Sequence, residues 1–160
     1  MKGGSSLQNS VPYKRMQKCF WSLLFFASWW LSLFSTVSAD NIQKVDSSEV
    51  LKMLKRGVTV IDIRRQDEWL ETGVIQGSQL MTAFDQNGVI TQGFPKRFSN
   101  LVERDQEVVL ICHSGGRTYY IARALSKQLG YQKVFDAYRG ITHWIKKGYP
   151  LVEADINSAL

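Results

Sequence analysis

Cysteine is scarce in this chain, where only Cys19 and Cys112 occur among 160 residues. Two cysteines exclude a disulfide-dense scaffold, a CxxC redox pair and a zinc site with four cysteine ligands. The sequence also lacks a Walker loop, an HExxH motif and a GxGxxG motif. It therefore predicts neither a bound nucleotide nor a metal ion, and we expect a protein that works without a cofactor.

Acidic residues are missing from the first 39 positions, although the whole chain has 20 basic and 14 acidic residues. Four of the bases lie in that segment, which leaves 16 bases and 14 acids, a net charge of +2, in residues 40–160. The total charge of +6 is thus mainly a property of the N-terminal segment. Because the remainder is nearly balanced, the sequence predicts no nucleic-acid partner.

Residues 20–37 carry no charge, follow a basic cluster and precede the sequence Val-Ser-Ala-Asp. This order of positive, apolar and small residues is typical of a signal peptide, here cleaved after Ala39. It predicts export, to the periplasm, of one domain formed by residues 40–160. The alternative is an uncleaved membrane anchor through residues 20–37, since this length is near the minimum that spans a bilayer. Translation starts at Met1 or, for a more compact signal peptide, at Met16.

Residues 40–160 are sufficient for one hydrophobic core and alternate strand and helix patterns. This alternation predicts an α/β fold, with a small parallel sheet flanked by helices on both faces and a core of about residues 47–151. The predicted helices cover residues 46–57, 67–72, 95–102, 118–129 and 141–147. The predicted strands cover residues 58–63, 79–82, 107–111 and 133–135. Residues 153–160 are expected to form a loose tail.

One predicted strand ends in the only cysteine of residues 40–160. The sequence Val-Val-Leu-Ile-Cys112 is followed by His-Ser-Gly-Gly-Arg-Thr and then directly by a helix. Open α/β sheets bind ligands at the carboxyl ends of their strands, and the glycines allow a tight loop of converging N–H groups. The helix N-terminus and Arg117 would stabilise a thiolate or an anionic substrate there. The alternative is a buried, inert cysteine, which would not need such a loop.

Three stretches of the sequence resemble the single-domain rhodaneses, the thiosulfate sulfurtransferases. Residues 112–118, Cys-His-Ser-Gly-Gly-Arg-Thr, resemble the rhodanese loop C-x-x-G-x-R-S/T. Residues 60–77 resemble the stretch D-V/I-R…E-Y/F/W…G-H-I-x-G-A, and residues 139–150 resemble the closing G-G-x-x-x-W-x-x-x-G-x-P. The departures from these patterns are Val74 in place of His, Ser78 in place of Ala and Arg139 in place of the first closing Gly.

The resemblance implies a double-displacement mechanism. Cys112 would take the outer sulfur of a small anionic donor such as thiosulfate, become a persulfide and pass the sulfur to a thiol or to cyanide. Arg117 is the expected cation for the donor, because a guanidinium can hold an oxyanion through two hydrogen bonds. The expected substrate-binding residues are His113, Ser114, Gly115, Gly116, Arg117 and Thr118.

Three other functions remain open. One is a persulfide carrier that delivers sulfur to a partner without fast turnover. Another is a non-catalytic rhodanese-like interaction module, against which the intact Cys112 argues. The third is a cysteine phosphatase, whose loop has the pattern C-x5-R. Cys112 and Arg117 form the shorter C-x4-R, and a tighter loop favours a sulfur atom over a phosphate.

Asp62 and Arg64 lie at the end of the first predicted strand and could pass for catalytic groups, with Glu68 a few residues later. We interpret them instead as structural support, through a charge pair or a helix-cap contact beneath the loops. His113 could tune the adjacent thiolate, whereas His143 is expected to be solvated or to pack within the last helix.

Overall fold

The structure, a computed structural model, describes residues 42–159, so the predicted signal peptide and its cleavage site lie outside the described residues. Strands and helices alternate along this range. In chain order they are β1 (Gln43–Val45), α1 (Ser47–Lys55), β2 (Thr59–Asp62), α2 (Gln66–Thr72), β3 (Gln79–Leu80), α3 (Phe94–Leu101), β4 (Val108–Ile111), α4 (Gly116–Leu129), β5 (Val134–Ala137) and α5 (Gly140–Lys146). No helix in residues 42–159 is long and apolar enough to cross a membrane.

The strands form one parallel sheet in the order β1-β5-β4-β2-β3. β4 is central, and all four of its residues, Val-Val-Leu-Ile, are buried. A strand that is apolar on both sides is what a sheet covered on both faces requires. Cys112 follows at the carboxyl end of this central strand.

Helices cover both faces of the sheet, as the sequence predicts. Val108 and Leu110 of β4 belong to a core cluster with residues of α3 and α4. Val109 and Ile111 belong to a second cluster with residues of α1 and α5. Because side chains alternate along a strand, these two clusters lie on opposite faces. The α/β fold with a parallel sheet is therefore confirmed.

Two details differ from the sequence-based prediction. The sequence did not indicate β1, an edge strand whose residues Gln43 and Lys44 are exposed. The tail predicted to be loose is partly ordered: Ile156–Ser158 form a 3₁₀ turn. Val152, which directly precedes the tail, exchanges two backbone hydrogen bonds of 2.9 Å with Val74. Short polar strands and isolated bridges lack the alternating apolar pattern that sequence reasoning uses.

Candidate active site

The loop that joins β4 to α4 surrounds the sulfur of Cys112, a residue with no exposed surface. The backbone N–H of Gly115 donates to Cys112 Sγ at 3.2 Å. Gly115 has φ +99°, and a Cβ at this position would collide with the carbonyl oxygen of Tyr138. Glycine is thus required both by the left-handed backbone and by the close approach. It allows the loop to point a backbone donor at the sulfur.

The N-terminus of α5 supports the same loop from behind. The backbone N–H of Ile141 donates to the carbonyl of Cys112 at 2.8 Å, and that of Thr142 donates to the carbonyl of His113 at 3.1 Å. The Thr142 hydroxyl donates to the latter carbonyl as well, at 2.5 Å. These bonds turn the carbonyls of the loop toward α5. Sequence analysis did not single out Thr142, because only the fold brings it to the loop.

Arg117 is held by Glu68 in a bidentate ion pair. Its two terminal nitrogens donate to the Glu68 carboxylate at 2.7 and 2.6 Å. These bonds raise the pKa of Arg117 further above its ordinary value, although burial opposes them. Burial would raise the pKa of Glu68, but the bonds from Arg117 and from the Arg65 N–H outweigh it and lower that pKa. Both groups are therefore charged, and the pair fixes where the guanidinium lies.

Asp62 and Arg64 form a fully buried ion pair at the end of β2. Arg64 Nε and a terminal nitrogen donate to the Asp62 carboxylate at 2.9 and 2.7 Å. The same guanidinium donates to the carbonyls of Glu68 and Gly73 and to the Thr72 hydroxyl. Asp62 and Arg64 therefore anchor α2, the helix that carries Glu68. The Glu68 side chain itself contacts Arg117 rather than Arg64.

Thr118 lies directly beneath the sulfur, on the first turn of α4. Its hydroxyl oxygen is 3.8 Å from Cys112 Sγ, 2.8 Å from the Gly115 carbonyl oxygen and 2.5 Å from Asp136 Oδ1. Asp136 comes from β5 and is 1% exposed. Sequence analysis missed this carboxyl group, because a single aspartate within a strand pattern does not show which helix it faces.

A cleft of about 740 Å³ opens above the loop. Of the residues expected to bind substrate, His113, Ser114, Gly116 and Arg117 line this cleft. Gly115 and Thr118 are buried below it, next to Cys112. His113 Nδ1 is 3.7 Å from Glu68 Oε1, which is too long for a hydrogen bond. The remaining lining residues are Arg65, Glu68, Glu71, Phe84, Asp85, Gln86, Gly88 and Tyr120.

The three departures from the rhodanese pattern fit their surroundings. Arg139 has φ −110°, which any residue adopts, and its guanidinium lies 5.1 Å from the Tyr138 ring centroid. Val74 is buried in a small apolar cluster with Trp69 and Leu80. The Ser78 hydroxyl donates to the Ile75 carbonyl at 2.7 Å. None of these residues lies in the loop around Cys112.

His143 is buried in α5, where its Nδ1 is 2.8 Å from the Ser47 hydroxyl oxygen. This contact joins α5 to the start of α1, so His143 packs rather than facing solvent. Among residues 42–159, no group of three His, Cys, Asp or Glu side chains is placed to hold a metal ion.

The family model of the rhodanese-like domain matches residues 46–147, which include both the loop and the elements that support it. The chain belongs to the rhodanese-like family. Thiosulfate sulfurtransferase 18 of Arabidopsis thaliana is 27% identical over 124 residues, covering 75% of this chain and 90% of the relative. The putative sulfur carrier protein YrkF of Bacillus subtilis is 31% identical over 108 residues, covering 66% of this chain and 47% of the relative.

A solved structure supports the rhodanese-like fold. The polysulfide-sulfur transferase homodimer of Wolinella succinogenes superposes with a TM-score of 0.57 at 17% identity, covering 82% of this chain and 92% of that chain. The sequence similarity to thiosulfate sulfurtransferase 18 places a sulfurtransferase among the relatives of this rhodanese-like protein.

Proposed function

We propose that this rhodanese-like protein is a sulfurtransferase that moves a sulfane sulfur from thiosulfate, or a related anion, to a thiol or cyanide through a persulfide on Cys112. The observation that carries the proposal is the position of the Cys112 sulfur. It lies at the carboxyl end of the central strand, beneath a loop that donates a backbone hydrogen bond to it at 3.2 Å. An inert core cysteine would need neither that donor nor a fixed arginine beside it.

The chemistry consists of two displacements at sulfur. The Cys112 thiolate attacks the outer sulfur of thiosulfate, a new S–S bond forms, and sulfite leaves with the electron pair of the broken bond. An acceptor thiolate or cyanide then attacks the outer persulfide sulfur. The electron pair of that S–S bond returns to Cys112 as a thiolate, so no external oxidant or reductant is needed.

Arg117 would bind the sulfonate of the donor. The Arg117 guanidinium has five N–H donors, and two of them are bound to Glu68. The others remain available to an anion in the cleft. The N-terminal end of α4 adds a positive potential at the same place. The developing sulfite therefore meets a guanidinium that is already oriented, and this lowers the cost of organising the site.

A persulfide carrier is the second candidate, supported by the similarity to the putative sulfur carrier protein of Bacillus subtilis. A carrier would accept one sulfur from a donor and release it only to a specific partner. Loading without repeated turnover therefore distinguishes it from a sulfurtransferase. The cysteine phosphatase alternative is disfavoured by the loop, since Cys112 and Arg117 are separated by four residues rather than five.

The test is to compare the wild-type protein with Cys112→Ser. Serine is nearly isosteric but cannot carry a sulfane sulfur, so the variant should fold normally and lose all thiosulfate:cyanide turnover. Mass spectrometry of the wild type after thiosulfate should show one added sulfur that cyanide removes. Turnover by Cys112→Ser would contradict the proposal. Aryl phosphate hydrolysis that exceeds sulfur transfer, and is lost in Cys112→Ser, would instead establish a phosphatase.

A further inference from the structure

Asp136 is a buried acid that the proposed sulfur chemistry does not use. It is 1% exposed, and Lys44 of β1 and Leu110 of β4 are its neighbours across the sheet. Its carboxylate oxygen Oδ1 is 2.5 Å from the Thr118 hydroxyl oxygen. A carboxyl group with so little exposure is costly to ionise unless it is well paired. This acid is separated from Cys112 by a single hydroxyl, that of Thr118.

The contacts of the Thr118 hydroxyl depend on the charge of Asp136. The hydroxyl has one proton, yet its oxygen contacts Asp136 Oδ1 at 2.5 Å and the Gly115 carbonyl oxygen at 2.8 Å. A carbonyl and an ionised carboxylate both only accept hydrogen bonds. The Gly115 carbonyl also accepts from the Tyr119 N–H at 3.4 Å. With Asp136 ionised, however, one of the two short oxygen–oxygen contacts of Thr118 has no proton between its atoms. A neutral Asp136 supplies the missing proton by donating to Thr118.

The charge of Asp136 also matters for the sulfur. The Thr118 oxygen is 3.8 Å from Cys112 Sγ, so a single hydroxyl separates the carboxyl group from the thiol. Two negative charges this close in a buried site would oppose each other, which is the condition for coupled ionisation. Burial raises the pKa of Asp136, whereas Thr118 and the charge of Lys44 lower it. The net direction is upward, toward a neutral acid.

Other charged groups face this region from the neighbouring elements. Lys44 is the register partner of Asp136 on β1, and Leu110 on β4 does not titrate. Arg117 on α4 is directed to Glu68. The charge of Lys44 favours ionised Asp136, whereas Arg117 interacts electrostatically with Cys112 as well as with Glu68.

We propose that Asp136 is a positioning residue coupled to Cys112 through Thr118. Neutral Asp136 donates to Thr118 and adds no negative charge beside the thiolate. The Thr118 proton is then available to the Gly115 carbonyl or to Cys112 Sγ, and in the second case it also supports the thiolate. Ionised Asp136 accepts the hydrogen bond of the Thr118 hydroxyl and opposes a second negative charge at Cys112. The inference rests on the proposed function only in taking Cys112 as the nucleophile.

The test measures two titrations without any sulfur donor. The Cys112 titration is followed by the rate of alkylation with iodoacetamide. The Asp136 titration is followed by carboxyl ¹³C NMR, with the resonance assigned by its loss in Asp136→Asn. In a coupled pair, the group that ionises second does so against the charge of the first, so its midpoint is the one that the interaction raises. We expect either the Cys112 midpoint in Asp136→Asn or the Asp136 midpoint in Cys112→Ala to fall by about one pH unit or more.

Two further variants sharpen the result. Lys44→Gln should move the Asp136 midpoint to higher pH, because a nearby positive charge is lost. Asp105→Asn is the matched control, since Asp105 is exposed and precedes β4 at the opposite end of the sheet; both midpoints should stay unchanged. Asp136→Ser, also neutral, replaces Asp136→Asn if that variant fails to fold.

Unchanged midpoints in both the Asp136 variant and Cys112→Ala would overturn the inference. Coupled midpoints in a protein that fails to turn over thiosulfate would support the coupling and contradict only the proposed enzyme activity. The two conclusions are therefore tested separately.

Discussion

At the scale of single residues, the site depends on a chain of contacts that starts away from the sulfur. Arg64, fully buried with Asp62, fixes the end of α2. That helix carries Glu68, which holds the Arg117 guanidinium through two hydrogen bonds. Arg117 is thus oriented before any donor arrives. Asp62 and Glu68 are therefore compatible with a site that is proposed to bind an anion, because each acid holds an arginine in place.

Arg117→Lys should lower activity although it preserves the charge. Lysine has no planar fork, so it cannot pair with both Glu68 oxygens and also present donors to a sulfonate. We expect kcat/KM for thiosulfate to fall by about a hundredfold. Arg56→Lys is the control, because Arg56 is exposed and its ion pair with Glu107 is long, at 3.9 Å. The activity of this variant should equal that of the wild type. Equal activity of the Arg117 variant would show that the backbone alone binds the donor.

Glu68→Gln should change how stability depends on pH. The pKa of Glu68 is lowered in the fold, so the ionised carboxylate stabilises the protein at pH values above the ordinary pKa of a glutamate. This contribution is lost as pH falls through the lowered pKa. We expect the variant to lose about 1–3 kcal/mol at neutral pH, and the difference from wild type to shrink in acid. Urea unfolding at several pH values measures it, with exposed Glu71→Gln as control. A difference that is independent of pH would contradict this role.

At the scale of elements, two helix N-termini meet at the loop around Cys112. α4 begins within the loop, and α5 begins behind it, bound to the carbonyls of Cys112 and His113. Gly140, the first residue of α5, has φ +57°, and a Cβ there would collide with both carbonyl oxygens. The closing motif therefore has a physical role, since it allows α5 to approach the loop this closely.

Gly140→Ala should displace the loop, whereas Gly148→Ala should not. Gly148 also has a positive φ, +69°, but a Cβ there would meet nothing within 4 Å. Both substitutions carry the backbone penalty of about 1–3 kcal/mol. Only Gly140→Ala adds the collision, so we expect it alone to abolish sulfur transfer while Gly148→Ala retains it. Thermal unfolding and thiosulfate turnover measure the two effects. Similar activity losses in both variants would point to backbone strain instead of contact with the loop.

The sequence predicted those elements whose patterns are strong and local. β4 is a run of buried apolar residues, and α4 has an apolar face that ends at a glycine, so both were located closely. β1 was missed because Gln-Lys-Val is short and two of its residues are exposed. The contact between Glu68 and Arg117 joins positions 49 residues apart. Such a contact depends on how α2 and α4 pack, and no local pattern contains that information.

At the scale of the whole molecule, the parallel sheet explains why these residues meet. All five strands run in one direction, so their carboxyl ends share one edge. β2 brings Asp62 to that edge, β4 brings Cys112, and β5 leads to Gly140. Only a short loop separates Cys112 from the start of α4 at Gly116, so the donors for an anion remain close to the sulfur. Export of such a site would place a lone thiol in an oxidising compartment, where it has no internal disulfide partner.

The last prediction is that the protein is exported and cleaved after Ala39. The positive, apolar and small-residue regions of residues 1–39 are those that signal peptidases recognise. Expression of the full sequence should yield an exported form whose N-terminus is Asp40 and whose only cysteine is Cys112. Intact mass under non-reducing conditions measures both the cleavage site and any sulfur bound to Cys112. Ala39→Phe is the control, because a bulky residue before the cut should block cleavage and retain the precursor. A wild-type product that keeps residues 20–37 would instead be a membrane-anchored protein, and its sulfur transfer would take place at the bilayer surface.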